Sequence, residues 1–467
     1  MNRTVFLFSL AAALGLIGIA IGIVPMVKVR APLPPTIVEA PPLQRSADGL
    51  VRLTAGLSDP FVALGAEREV FMKIGLEARD VAGRPSRIPV NVAMVLDRSG
   101  SMAGEKLEHA KSAARALVNR LGETDRFALI TFGSDVTVAY ASSPVTPAAR
   151  DSMLAAIDSI QDVGGTNLSG GIEAGVAQVR ANASRYGVNR VILCSDGQAN
   201  EGVVETEPLL AMSRHFADEG VKLSTIGLGL DFNEDVMMGL ASHGDGRYHY
   251  LRDPDQLESI FVGEFNRATQ AVASNVELTL APQPGVRIEQ IIGYPSQSMG
   301  VSSSIRVPDL SSGERLKVVV KLGVLPSHPG NIDIAQVGLH YINIPGGQIA
   351  ESAKVELAAS VTRDERFALG NRDRAVLEDA TKAESGFAYM QAAKYLRDGE
   401  NAKALDLLRG ARRVVETRNA FVKSADLSKF ERMFDSEEKE VARPLSADDL
   451  SNKIKSMSAF GNQAAQE

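Results

Sequence analysis

One cysteine and no tryptophan occur among the 467 residues, and aromatic side chains make up only 5% of the chain. The lone thiol, Cys194, excludes an intrachain disulfide, so the fold must rest on packing alone. It lies inside an apolar run and reads as a small buried residue, not a nucleophile. The six histidines are His109, His215, His243, His249, His328 and His340, and none sits in a His-Glu-x-x-His pattern. A Gly-x-Ser-x-Gly elbow and a Walker-type phosphate loop are also missing. Basic blocks are absent too: 50 Lys and Arg stand against 57 Asp and Glu, for a net charge of −7. That balance argues against a nucleic-acid partner. These absences remove the common catalytic frameworks and point to a binding or scaffolding protein.

What is present begins with a strongly apolar N-terminus. Thr4 to Val27 carries no charge and is rich in Leu, Ile and Phe, long enough to cross a bilayer as a helix. Residues 1–30 are therefore expected to be a signal anchor that enters the membrane through residues 5–27. Arg3 flanks one side and Lys28 and Arg30 the other, so the positive-inside count does not orient it. The expected location is a membrane-anchored protein with its body in the periplasm or outside the cell. Cleavage and secretion is the second reading. Residues 31–49, with Pro32, Pro34, Pro35, Pro41 and Pro42, read as an extended spacer.

The body divides by periodicity. Residues 50–88 alternate, as in Val70, Met72, Ile74 and Leu76, and read as a β segment. From 89 to 271, short apolar runs alternate with amphipathic stretches, the pattern of a doubly wound, mostly parallel sheet with helices on both faces. Residues 272–362 alternate again between Pro, Gly and Ser turns and read as a β-sandwich segment. Strand-like sequence on both sides of the α/β unit is explained most economically by one sandwich into which that unit is inserted. Residues 363–442 are helical and charged. Within them the stretches around Ala388–Leu396 and Ala402–Leu408 resemble one tetratricopeptide-like hairpin, but a single unit cannot form a solenoid, and a helical pair packed on the β domain is the favoured reading. The tail, 443–467, is expected to be disordered.

Five polar residues in the α/β unit form a constellation. Asp97, Ser99 and Ser101 lie in Leu-Asp-Arg-Ser-Gly-Ser-Met after the run Val90–Leu96, Thr166 in Gly-Gly-Thr-Asn-Leu, and Asp196 in Cys-Ser-Asp-Gly-Gln after Arg190–Cys194. Taken singly, each has an ordinary structural reading. Asp-Arg-Ser-Gly is a common turn, Thr166 or Ser169 can cap a helix, and Asp196-Gly197 can open a turn. Taken together at the carboxyl ends of parallel strands, they surround one crevice with oxygen donors, which suits a hard divalent cation.

The motif Asp-x-Ser-x-Ser followed by a later Thr and a later Asp resembles the metal-ion-dependent adhesion site of von Willebrand factor type A domains, over about residues 90–270. The resemblance implies that Ser99, Ser101 and Thr166 offer hydroxyls to the ion, while Asp97 and Asp196 act largely through bound water. It implies Mg²⁺ first, with Mn²⁺ and Ca²⁺ as alternatives, and a protein partner that completes the shell with an Asp or Glu. The order of segments also resembles bacterial membrane-anchored proteins labelled as calcium-activated chloride-channel-like, although one spanning segment does not make a pore. The competing readings are a scaffold that binds through its β and helical parts and, less favoured, a metal-dependent hydrolase.

Overall fold

The computed structural model describes residues 44–80, 87–229 and 232–466. The expected anchor and most of the spacer lie outside these residues. Among the described residues no helix is long and apolar enough to cross a membrane.

The chain enters through strands β1 (Gln44–Ala47), β2 (Val51–Leu57), β3 (Phe61–Ala63) and β4 (Arg68–Ala78). The α/β unit follows as β5 (Val90–Asp97), α1 (Glu105–Arg120), β6 (Arg126–Phe132), β7 (Val136–Pro144), α2 (Pro147–Asp158), α3 (Leu168–Arg180), β8 (Val188–Ser195), α4 (Thr206–Asp218), β9 (Lys222–Leu228), α5 (Glu234–His243), β10 (Asp245–Leu251) and α6 (Leu257–Thr269). Its sheet has the order β10-β9-β8-β5-β6-β7. All pairings are parallel except that of β7, which turns back antiparallel to β6 at the edge.

Alternation along β5 divides the interior in two. Val92, Met94 and Leu96 meet Leu107, Ala110, Leu117 and Phe261 on one face. Ala93 and Val95 meet Ile172, Val176 and Leu240 on the other. A strand buried on both faces needs an unbroken apolar run, which Val90–Leu96 supplies apart from Asn91. Asn91 satisfies its amide by donating to the Val179 carbonyl at 2.7 Å and to Asn189 Oδ1 at 2.9 Å.

After α6 the chain continues as β11 (Ala271–Pro282), β12 (Val286–Ile292), β13 (Ser296–Met299), β14 (Ser302–Val307), β15 (Leu310–Ser311), β16 (Arg315–Val324), β17 (Gly330–Asn343) and β18 (Ile349–Thr362). These strands share sheets with those that precede the α/β unit. One sheet runs β1-β2-β4-β16-β12, and the other β13-β14-β11-β17-β18-β3 with β15 on β11. β4 and β16 pair over ten residues, from Arg68↔Val324 to Glu77↔Arg315. Met72, Ile74 and Leu76 point inward against Leu278, Val337 and Leu339. Phe71 and Val319 point outward, and the helical region covers them.

That region comprises α7 (Glu365–Gly370), α8 (Arg374–Arg397), α9 (Asn401–Val422), α10 (Ala425–Val441) and α11 (Ala447–Gln466). α8 lies on the outer sheet face, where Val376, Leu377, Ala380 and Ala383 cluster with Phe71 and Val319. Asp379 anchors it to Lys73 at 2.6 Å and Lys317 at 2.8 Å. The helical pair thus packs on the β domain.

Two expectations need correction. The tail is not disordered: residues 447–466 form a helix that buries Ile454, Met457 and Ala465. It crosses α8 where Gly386 and Gly461 bring backbone against backbone. A Cβ on either glycine would lie 2.5 Å from the other's carbonyl oxygen. Nor does the spacer extend to residue 49, because Gln44–Ala47 already pair with β2 in the register Gln44↔Gly56.

Candidate metal centre

β5 and β8 are neighbours in the sheet, so their carboxyl ends deliver Asp97 and Asp196 to the same edge. Both are fully buried, Ser99 and Thr166 nearly so, and Ser101 is exposed. Asp97 folds the following turn around itself by accepting the Ser99 N–H on Oδ1 at 2.8 Å. Its Oδ2 accepts the Ser195 hydroxyl at 2.5 Å. A short 3-10 turn over Gly100–Met102, pinned by fully buried Met102, then brings Ser101 Oγ to 3.1 Å from Ser99 Oγ. Ser101 Oγ also donates to Asp196 Oδ1 at 2.7 Å.

Thr166 arrives from the loop before α3, and backbone bonds hold that loop. Gly100 N donates to the Gly164 carbonyl at 3.1 Å, and Val163 N to the Arg98 carbonyl at 2.7 Å. Thr166 N donates to Asn200 Oδ1 at 2.7 Å, and the Thr166 carbonyl accepts from Asn200 N at 3.1 Å. The hydroxyl is therefore placed by its backbone and remains available to the crevice.

Gly197 marks where these oxygens converge. A Cβ there would lie 3.2 Å from Thr166 Oγ1, 3.4 Å from Ser101 Oγ and 3.7 Å from Asp97 Oδ2. Glycine at this position leaves open a cradle that any side chain would fill. The donors are all oxygen, chiefly hydroxyls with two carboxylates behind them, and this chemistry fits a hard divalent cation. Among the described residues no cluster of three His, Cys, Asp or Glu offers a competing metal site.

The structure thus brings Asp97, Ser99, Ser101, Thr166 and Asp196 together. It adds Ser195, which precedes Asp196 in the chain, and Asn200, which orients Thr166. It also adds Lys106, whose ammonium donates to Asp196 Oδ2 at 2.5 Å. Burial pushes the Asp97 carboxyl above its ordinary value, against the bonds from Ser195 and Ser99, and the nearby Asp196 charge adds to that rise. Burial likewise drives the Cys194 thiol far up, as suits an inert core residue.

Other polar features are engaged elsewhere. His243 Nδ1 lies 2.9 Å from the Gly239 carbonyl, and His249 Nε2 3.1 Å from Glu264 Oε1. A cavity of about 1060 Å³ lies between β10, β16 and α11, away from the crevice. Charged residues of its lining are paired, Arg247 with Glu314 and Arg315 with Glu77 inside it, and Lys73 and Lys317 with Asp379 of α8.

Comparison with known proteins agrees with this fold. Residues 91–262 match the von Willebrand factor type A domain. An uncharacterized protein of Synechocystis is 28% identical over 311 residues, 64% of this chain and 72% of its own length. Uncharacterized protein YfbK of Escherichia coli is 27% identical over 298 residues, 62% of this chain but only half of YfbK. Human inter-alpha-trypsin inhibitor heavy chain H3 is 30% identical over 199 residues, and the match spans 22% of that protein. Among solved structures, a von Willebrand factor type A protein from Catenulispora acidiphila has a TM-score of 0.67 at 18% identity, covering 88% of this chain and 96% of its own. The ArnB paralog VWA2 from Sulfolobus acidocaldarius has a TM-score of 0.58 at 20% identity, covering 89% and 99%. At such identities the likeness is one of fold, and it takes in the sandwich and helices as well as the α/β unit. Residues 91–262 thus match a von Willebrand factor type A domain, and the chain is similar to uncharacterized bacterial proteins and, over a shorter stretch, to the inter-alpha-trypsin inhibitor heavy chains.

Proposed function

We propose that the protein is a membrane-anchored, extracytoplasmic binding module that holds a divalent ion, Mg²⁺ first, at this crevice and takes up an acidic side chain of a protein partner. Von Willebrand factor A domains are generally adhesion or protein-binding modules and typically non-catalytic. The observation that carries the reading is the open point beside Gly197, with three oxygens, from the Asp97–Ser101 turn and from the Thr166 loop, 3.2–3.7 Å away. When bound, the ion supplies an electrophilic centre with an open coordination position. Ser99, Ser101 and Thr166 are the residues that would hold it. Asp97 and Asp196 would supply the negative charge, each kept in orientation by its own hydrogen bonds. Beside Gly197 a cavity of about 260 Å³ is lined by Leu168, Val204 and Met237. It offers apolar contact to the part of the partner next to its acid.

Titration calorimetry of the full-length protein with MgCl₂, MnCl₂ and CaCl₂ tests the reading. One site is expected, lost in Asp97→Ala and weakened in Thr166→Ala, with Mg²⁺ or Mn²⁺ preferred over Ca²⁺. Unchanged stoichiometry in Asp97→Ala would overturn the site. Capture of membrane proteins with and without chelator then separates metal-dependent recognition from the scaffold alternative, in which chelator has no effect.

A further inference from the structure

A lysine ammonium stands where the von Willebrand motif supplies only hydroxyls and carboxylates. Lys106, in the first turn of α1, places Nζ 2.5 Å from Asp196 Oδ2 and 3.3 Å from the Ser101 carbonyl. Its side chain is 27% exposed, whereas the carboxylate it meets is fully buried. The amine therefore reaches inward from the rim. Gly229, just after β9, lies beside its stem: a Cβ there would be in van der Waals contact, 3.5 Å from both Cε and Nζ. Asp196 is shared: one oxygen takes the Ser101 hydroxyl and the other the ammonium.

We propose that Lys106 is the resident counter-ion of the metal centre. Its ammonium neutralises and orients Asp196 while no divalent ion is bound, and it competes with the ion for that carboxylate. This inference rests on the metal reading above. The reason is charge balance. Two buried carboxylates and one ammonium leave a formal charge of −1, and an entering divalent ion turns it to +1. Two cations sharing one buried carboxylate repel each other strongly in a partly desolvated crevice. Lys106 therefore swings off Asp196 toward solvent, which its long stem and partial exposure permit. The positive excess left at the crevice is what an incoming carboxylate neutralises. Lys106 thus weakens the bare ion's hold and favours occupancy with an acidic partner in place.

Two measurements on the full-length protein test this. In calorimetry with MgCl₂ and with MnCl₂, Lys106→Met keeps the aliphatic stem and removes the charge, and it is expected to bind the ion about tenfold more tightly or better. In the unmodified protein, acetylation of Lys106 by an N-hydroxysuccinimide ester, read by peptide mass spectrometry, is expected to speed up when Mg²⁺ is added. Equal or weaker metal binding by Lys106→Met, with normal binding by the parent, overturns the counter-ion role and leaves the metal site standing. Labelling that stays constant or slows with Mg²⁺ also overturns it, and this arm decides the matter if the variant fails to fold. If neither protein binds metal, the reading of the site itself fails.

Discussion

Arg190 on β8 donates to Asp309, 119 positions later in the chain, at 3.2 Å, with both side chains 4% exposed. The same guanidinium reaches Glu264 on α6 at 3.2 Å, and Glu264 also accepts the Ser224 hydroxyl at 2.7 Å. Burial alone would push the Glu264 carboxyl up. His249 and Arg190 instead hold it well below the usual carboxylate range. This buried triad ties the floor of the α/β unit to the sandwich. Asp309→Asn leaves the buried Arg190 with one of its two carboxylate partners, Glu264, so it is expected to cost on the order of 3 kcal/mol in urea unfolding. A loss below about 1 kcal/mol would show that water already replaces that partner.

At the crevice, Gly197→Ala is the sharpest steric probe. The added methyl would crowd Thr166 Oγ1 and Ser101 Oγ without touching the core. Metal affinity should fall by about tenfold or more, while folding stability changes by about 1 kcal/mol at most. Undiminished metal binding would place the ion elsewhere.

Glu234 opens α5 and is 2% exposed. Its Oε2 meets Arg397 at 3.2 Å, while its Oε1 has no partner among the described residues. Burial raises its pKa from 4.5 to about 7, against the pull of Arg397 and Lys455. The unfolded chain therefore releases this proton first. Between pH 4.5 and about 7 the native state keeps a proton that the unfolded state has lost, so this group's contribution to stability falls as pH rises through that window. Glu234→Gln should match the parent near pH 4.5 and exceed it by about 1 kcal/mol above pH 7. A difference that stays flat across urea melts from pH 4.5 to 8 would rule out the raised pKa.

The crossing of α8 and α11 tolerates no side chain. Gly461→Val would press a Cβ onto the Gly386 carbonyl, which is backbone and cannot yield. The expected result is a loss of about 3 kcal/mol and release of residues 447–466 from α8. Limited trypsin digestion should then cut at Lys453 and Lys455, sites that stay protected in the parent.

The inserted arrangement predicts how fragments behave. The Ile88 N–H donates to the Thr269 carbonyl at 2.8 Å, so the two ends of the α/β unit meet. A fragment of residues 89–271 should be soluble and bind metal. Residues 272–362 alone lack β2, β3 and β4, leaving β16 and the inner faces uncovered, and should aggregate. A dispersed NMR spectrum from that second fragment would show instead that the β segments fold separately.

Much of this molecule was written locally. The apolar run Val90–Leu96, interrupted only by Asn91, specifies a strand buried on both faces, and the alternation Val70, Met72, Ile74, Leu76 specifies one facing a core on one side. Both signals arise from side-chain periodicity, which any window of the chain displays. Asp97, Ser99 and Ser101 were legible for a related reason: a strand end and a tight turn fix them relative to one another over five residues. Asp196 followed because parallel strands deliver their carboxyl ends to one edge, whereas Thr166 reaches that edge from the loop between α2 and α3.

Other features had no local mark. Lys106 looks like any lysine in the first turn of an amphipathic helix, and only the adjacency of β5 and β8 puts Asp196 within its reach. Gln44–Ala47 has no apolar alternation and is a strand because the edge of β2 offers it backbone partners. Residues 447–466 have few large apolar groups and a central glycine, a composition that reads as a loose tail. They are ordered because Gly386 and Gly461 let two backbones approach where no side chain intervenes. Short-range periodicity therefore decided which segments are strands and helices and which residues could bind an ion. Long-range contact decided the charge balance of the metal centre and the structure of residues 44–47 and 447–466, because each depends on a partner that only the folded chain brings near.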